Sequence, residues 1–201
     1  MNLSAVILAT KNRHKITEIN ACLKALNLNI KSFNDLNVLP EIEETGTSFE
    51  ENAYIKSKET ALFTSTPCLA DDSGLVIPSI NGEPGVYSAR YAGENARDED
   101  RMNKVLGKLA NKTNEERKAY FQCVLILCDL RGNSERVVIA SGQVDGYISQ
   151  TIRGEQGFGY DAIFVPNGYN QTFAELGSTL KNKLSHRKMA LDSLVEKLKL
   201  L

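Results

Sequence analysis

Four polar stretches interrupt the apolar patterning of the 201-residue sequence with side chains able to handle phosphate, a metal ion or a nucleobase. The first, Thr10-Lys11-Asn12-Arg13-His14-Lys15, lies between an apolar run and a helical pattern. Free N–H groups at a helix N-terminus attract phosphate, and the hydroxyl, amide and lysines add donors. The same composition also suits an ordinary solvated turn. The second, Glu41-Ile42-Glu43-Glu44-Thr45-Gly46, leads into a helical stretch in which Asn52 and Lys56 share a face. Acidity there complements a helix dipole, which accounts for Glu50 and Glu51 better than for the carboxylates packed upstream. The third is Ala70-Asp71-Asp72-Ser73-Gly74. Adjacent carboxylates repel unless a cation or donors sit between them, so the pair is a Mg²⁺ site candidate; an Asx-turn with Gly74 at the bend explains it equally well. The fourth is Gly157-Phe158-Gly159-Tyr160-Asp161, with Lys181 and Ser185-His186-Arg187 beyond it. Glycines beside aromatics expose a ring face for stacking a base, and Asp161 offers an acceptor. The alternatives are a glycine turn with both aromatics in the core, and an N-cap followed by surface residues at Ser185-His186-Arg187. The two histidines form no recognisable Ser-His-Asp arrangement. Together these stretches supply what a metal-dependent nucleotide hydrolase needs.

The elements that must position them follow from periodicity. An apolar run, Leu3–Ala9, reads as a buried strand, and Ile16, Ile19, Leu23 and Leu26 continue at helical spacing from about Arg13. A second strand over Asn29–Phe33 completes a β-α-β opening, which favours a sheet with helices packed on it. Thr47 and Ser48 each have a glutamate three residues on, the capping-box signature, so a helix starts there and runs to about Phe63. Strand-like segments follow at Cys68–Ala70, Leu75–Ile80, Tyr120–Leu130, Arg136–Ala140 and Gln143–Ile148. Asn81-Gly82 and Arg131-Gly132-Asn133 mark turns between them. A helix over about Arg97–Leu109 carries Met102, Val105, Leu106 and Leu109 on one side, and a closing helix, Arg187–Leu200, carries Ala190, Leu194 and Leu198. The pattern is α/β with a long mixed sheet.

Composition sets the outer limits. Apolar residues at 42% and charged residues at 24% suit a folded, soluble domain. A formal net charge of -1 argues against a broad nucleic-acid surface. The four cysteines have neither CxxC spacing nor histidine neighbours, so no zinc site is expected; Cys123 and Cys128 should face opposite sides of a strand. Buried reduced thiols fit a cytoplasmic protein, and no apolar run reaches the roughly 20 residues a bilayer requires.

Six stretches, ILATKNRHK, EETGTSFEENAYIK, LADDSGL, GEPGVYSARYAGE, GFGYDAIF and KNKLSHR, occur in that order. Through them the chain resembles the Ham1 family of inosine/xanthosine triphosphate pyrophosphatases nearly end to end. The resemblance implies a single domain over 1–201, with an elongated central mixed sheet flanked by helices, two lobes and a nucleotide cleft between them. It also implies a homodimer and Mg²⁺-dependent cleavage of ITP, dITP and XTP to the monophosphate and pyrophosphate. Asp72 and Lys56 are then catalytic, Asp72 being the proton acceptor and, with Glu43, a metal ligand; Glu44 and Asp71 stand beside them. Thr10, Lys11, Asn12, Arg13, His14, Lys15, Lys56 and Ser73 fall on phosphate-handling positions. Phe158, Gly159, Tyr160, Asp161, Lys181, His186 and Arg187 fall on base and substrate positions, with His186 or Arg187 the expected donor to the 6-oxo group. Two departures stand out: Lys11 where the family commonly has glycine, and Ala162 where it has proline. Rival readings are a nucleotide-binding sensor without catalysis, which would lack a carboxylate or lysine, and an enzyme like the Maf-type pyrophosphatases acting on other modified nucleotides.

Overall fold

The computed structural model describes residues 3–24, 28–38 and 40–200. In chain order the elements are β1 (Ala5–Leu8), α1 (Arg13–Leu23), β2 (Asn29–Ser32), α2 (Phe49–Thr64), β3 (Cys68–Val76), α3 (Asp98–Lys108), β4 (Lys118–Asp129), β5 (Arg136–Ile148), β6 (Phe164–Pro166), α4 (Phe173–Leu184) and α5 (His186–Lys199). The strands form one sheet in the order β2-β1-β3-β4-β5-β6. β1 pairs in parallel with β2 and β3, and β5 pairs antiparallel with β6, so the sheet is mixed, as the α/β reading expects. Parallel neighbours require crossovers, and α1 and α2 provide them.

Local chemistry explains where the elements begin. Asn12 caps α1, its side chain accepting from the His14 and Lys15 backbone N–H groups. The capping box of α2 uses Ser48 and Glu51: Ser48 accepts from Glu51 N–H, and the Glu51 carboxylate accepts from the N–H groups of Ser48 and Thr47.

The main correction lies in β3. Cys68–Ala70 and Leu75–Ile80 were expected as separate segments around a polar bend, but Asp71-Asp72-Ser73-Gly74 is itself strand, and the strand ends at Val76. The Asx-turn reading is thereby excluded. Arg136–Ala140 and Gln143–Ile148 likewise merge into β5, and Phe33 starts a 3-10 turn instead of ending β2. Leu26, expected on α1, lies outside the described residues.

The chain divides into two compact units, one made of Met1–Asp72, Cys123–Gly142 and Arg187–Leu201, the other of Ser73–Gln122 and Gln143–His186. In the first unit, strand parity sorts the core. Leu69, Cys123, Leu125 and Leu127 pack with Ile19 and Leu23 of α1 and Ala190, Leu191 and Leu194 of α5. Cys68, Ala70 and Cys128 pack with Ala61 of α2. Cys123 and Cys128 thus lie on opposite faces, as their odd spacing requires. The core of the second unit gathers Leu75, Ile77, Met102, Val105, Leu109, Phe121, Ile148, Tyr160, Phe164 and Phe173.

The β4–β5 hairpin carries a buried ionic clamp. Asp129, fully buried, accepts from Arg131 Nε and Arg136 Nη2, each at 2.9 Å. The Arg131 hydrogen bond holds the Asp129 carboxyl below the usual range against the opposing effect of burial. A carboxyl depressed in the folded state stabilises fully above its unfolded pKa, and that stability is lost as pH falls through the folded value. Arg131→Ala with Arg136→Ala should cost about 1–3 kcal/mol near pH 7 by stripping a buried carboxylate of its two guanidinium donors, with the Arg131 backbone N–H kept. The cost should shrink as pH falls below about 3.9. Thermal melts across that range test this; a penalty constant with pH would refute the clamp.

Candidate active site

In the first unit the site starts from the parity of β3. Successive side chains on a strand point to opposite faces. Asp71 therefore continues the face of Leu69, towards α1 and α5, and Asp72 continues the face of Cys68 and Ala70, towards α2. Pointing apart lessens the repulsion between the two carboxylates without abolishing it, and each meets different partners.

Asp71 is almost entirely buried, and cations take both of its oxygens. Lys15, in the first turn of α1, donates to Oδ1, and Arg187 Nε donates to Oδ2 at 3.1 Å. Cys123 Sγ lies 3.7 Å from the same Oδ2. Arg187 is held a second time, its Nη1 donating to Glu18 Oε2 at 2.5 Å. The neighbouring carboxylates Asp71 and Glu18 raise the pKa of Arg187 even though burial opposes its charge.

On the other face, Lys56 of α2 donates to the Asp71 carbonyl at 3.2 Å and pairs with Glu44 at 3.0 Å. Burial disfavours its ammonium, but Glu44, Asp72 and Asp71 outweigh that and hold its pKa above the ordinary lysine value. Asp72 behaves differently. Burial pushes its carboxyl up to about 6; Lys56 and Lys15 pull it down, Glu44 and Asp71 push it further up. A carboxylate poised near neutrality can take a proton at working pH.

In the second unit, Gly157-Phe158-Gly159-Tyr160-Asp161 is built around Asp161. Its Oδ2 accepts from the Phe158 N–H at 2.9 Å and from Lys181 Nζ at 2.6 Å, and both ionic side chains are buried. A Cβ at Gly157, where φ is +87°, would stand 2.2 Å from that oxygen, so glycine is required there twice over. Lys181 Nζ also lies 4.1 Å from the centre of the Phe158 ring, a cation–π contact. Tyr160 is buried in the core and its hydroxyl donates to the Ser88 carbonyl at 2.9 Å. Asp98, at the start of α3, accepts from the Gly159 N–H at 2.6 Å. This loop lines a pocket of about 520 Å³ with Asp98, Glu99, Met102 and Ile152. That volume lies in the range of small-molecule sites.

The description of the Ham1 family fits residues 6–197. A dITP/XTP pyrophosphatase of Leuconostoc mesenteroides is 46% identical, the match covering 96% of each chain. One of Bacillus licheniformis is 45% identical over 96% of each. The solved structure of a HAM1 protein from Coxiella burnetii superposes with a TM-score of 0.90 at 40% identity, covering 99% of this chain and 100% of that one. The chain belongs to the Ham1 family.

Membership lets the expected site residues be traced one by one. Lys15, Lys56, Asp71, Asp72 and Glu44 come together in the first unit. Thr10 and Asn12 shape the turn before α1, the Thr10 hydroxyl accepting from the Asn12 N–H at 3.1 Å. Because Asn12 occupies the His14 and Lys15 N–H groups, the helix terminus itself is less open to phosphate than the sequence suggested. Lys11, Asn12, Arg13 and His14 are exposed, as is Glu43, whereas Glu44 holds Lys56. The resemblance implies glycine at the position of Lys11, yet the non-glycine residues described at positive φ are Ser65 and Asn81, so the backbone at Lys11 does not take a conformation that favours glycine. Ser73 lies in β3, next to Asp72. Ser185, His186 and Arg187, read from sequence alone as a cap with surface residues behind it, are all buried. His186 stacks on Phe121 with ring centroids 4.8 Å apart and planes 12° apart, and Arg187 is committed to Glu18 and Asp71. The segment ending in Tyr160 and Asp161 combines both alternatives: Tyr160 is core, while Phe158 stays half-exposed. Sequence reading missed Glu18 and Asp98. Glu18 sits on the polar side of α1 and Asp98 among three acidic residues opening α3, where nothing local marks a distant partner.

Proposed function

We propose that this protein hydrolyses non-canonical purine nucleoside triphosphates, dITP, ITP and XTP, to the monophosphate and pyrophosphate. The observation that carries the reading is Asp72: a buried carboxylate with a pKa raised to about 6, flanked by Lys56 and Lys15, next to a second carboxylate whose oxygens are already paired. Phosphoanhydride cleavage asks chiefly for charge neutralisation and a positioned nucleophile. Lys15 and Lys56 neutralise phosphate charge, and Asp72 takes the proton from the attacking water.

Mg²⁺ fits this donor set. The carboxylates are all-oxygen ligands, and burial disfavours the ionised form of Asp72, a cost that a hard cation would offset. No group of three or more His, Cys, Asp or Glu side chains placed to hold a metal ion occurs among the described residues; Mg²⁺ commonly takes one or two carboxylates and completes its shell with water and substrate phosphate. Asp72 would hold it with Glu43, since Glu44 is engaged by Lys56. When bound, the ion polarises the phosphate and lowers the pKa of bound water. Asp71 takes the part of organiser, not ligand.

For the base, the half-exposed Phe158 offers a stacking face and the surrounding pocket a shaped enclosure. A 6-oxo group accepts a hydrogen bond where the adenine amino group donates one, so a buried donor rejects ATP by roughly 10⁴ or more. In this structure Arg187 and His186 serve as that donor only if the base competes with their present contacts. The protein would act in the cytoplasm as a homodimer. Separately, no helix among the described residues is long and apolar enough to cross a membrane.

Incubation with ITP, XTP, dITP, ATP and GTP plus Mg²⁺ tests the reading. Pyrophosphate release from the first three is expected, at rates on ATP lower by about 10⁴. Orthophosphate release or equal rates on ATP would refute it, and a preference for another modified nucleotide would favour the Maf-like alternative.

A further inference from the structure

The stretch GEPGVYSARYAGE has no place in the chemistry above, yet together with α3 it holds the loop that carries Phe158. The Ser88 carbonyl accepts from the Tyr160 hydroxyl at 2.9 Å. The Ala89 carbonyl, and that of Ala96 just beyond the stretch, each accept from Arg101 Nη1 at 2.8 Å, and Arg101 Nη2 pairs with Asp98 Oδ1. Asp98 Oδ2 in turn accepts from the Gly159 N–H at 2.6 Å, across 61 residues of sequence.

That N–H belongs to the peptide that follows Phe158. The peptide before it carries the Phe158 N–H, which donates to Asp161 Oδ2 at 2.9 Å. Fixing the planes of the two peptides around one Cα fixes its φ and ψ, and so the direction in which its side chain leaves the backbone. Gly159 sits at φ +65°, and a Cβ there would meet nothing within 4 Å, so steric contact on that side does not hold the peptide. The hydrogen bond to Asp98 does. We propose that Asp98 is a positioning residue for the Phe158 ring, aiming the face on which a purine base stacks. Arg101 keeps the carboxylate turned towards the loop. Without that carboxylate the glycine peptide turns, and the ring is less often presented to the base.

This rests on the reading of Phe158 as the stacking face, and the experiment separates the two. Calorimetry with Mg²⁺ present measures binding of inosine monophosphate and of inorganic pyrophosphate to wild type, Asp98→Ala, Asp98→Asn, Phe158→Ala and the double variant Asp98→Ala, Phe158→Ala. Phe158→Ala should weaken binding of the monophosphate by roughly 10-fold, within the range for a base stacked on an aromatic ring. Asp98→Ala should weaken it by roughly 5-fold and add nothing once Phe158 is gone. Asp98→Asn still offers an oxygen to the Gly159 N–H and should stay close to wild type. Pyrophosphate carries no base and should bind all of them alike. Equal losses from Asp98→Ala in both backgrounds, a loss in Asp98→Asn as deep as in Asp98→Ala, or a parallel loss of pyrophosphate affinity overturns the proposal. So does a lowered melting temperature with unchanged affinity for the monophosphate. Full affinity for it in Phe158→Ala instead refutes the stacking reading. Should Asp98→Ala fail to fold, Asp98→Glu carries the test: it keeps the charge, sets the oxygens one bond further out, and should weaken binding only while Phe158 is present.

Discussion

Asp72→Asn should lower turnover of ITP by about 10²–10⁴-fold, the usual contribution of a positioned general base, while nucleotide binding survives. Asparagine keeps the size and one oxygen but cannot accept the proton. Loss of a metal ligand and loss of the base are separable, since more Mg²⁺ offsets the first and not the second. The variant should also fold at least as well as wild type. Asp72 holds its proton more tightly in the folded chain, up to about pH 6, so its ionisation costs stability at neutral pH and the neutral amide removes that cost. An active Asp72→Asn protein would remove Asp72 from its role. An inactive one with a sharply lower melting temperature in Mg²⁺-free buffer would show that its charge is structural.

The second large effect belongs to the loop of the other unit. Asp161→Ala removes the carboxylate to which both the buried Lys181 ammonium and the Phe158 N–H donate. Breaking a buried pair by removing one partner costs about 3–5 kcal/mol, a fall in melting temperature on the order of 10 °C for a chain of this size. The double variant Asp161→Ala, Lys181→Met removes the buried ammonium as well and should recover more than half of the loss. If it melts no higher than the single variant, the cost lies in the Phe158 N–H and the loop, not in the ion pair.

How much of this was legible from sequence depends on the reach of the forces involved. The cap of α2 was readable because Ser48 and Glu51 interact within one turn. α1, α3 and α5 were readable because their apolar spacing matched the faces they bury. β3 was not, because aspartate and glycine disfavour strands and local preference pointed to a bend. The strand persists because Lys15 and Arg187, 56 and 116 residues from Asp71, hold its charge in place. β6 has three residues, too few to show a period, and α4 is interrupted by Gly177 at φ 78°. The surface alternative for Ser185, His186 and Arg187 fails for the same reason as the bend at β3: a charge is buried by partners that sequence distance conceals. The carboxylates and lysines were found by type; their division of labour was not.

The opposed faces of β3 make the site depend on counting. Whether a carboxylate becomes organiser or base is decided by whether it stands an odd or an even number of residues after Cys68. A single-residue insertion or deletion between Cys68 and Asp71 would leave both carboxylates present and exchange their addresses, handing the proton acceptor to Arg187 and the organiser to Lys56. Length within this strand is therefore under tighter constraint than composition, and variation in this protein should accumulate as substitutions inside β3 but as insertions only in the connections around it.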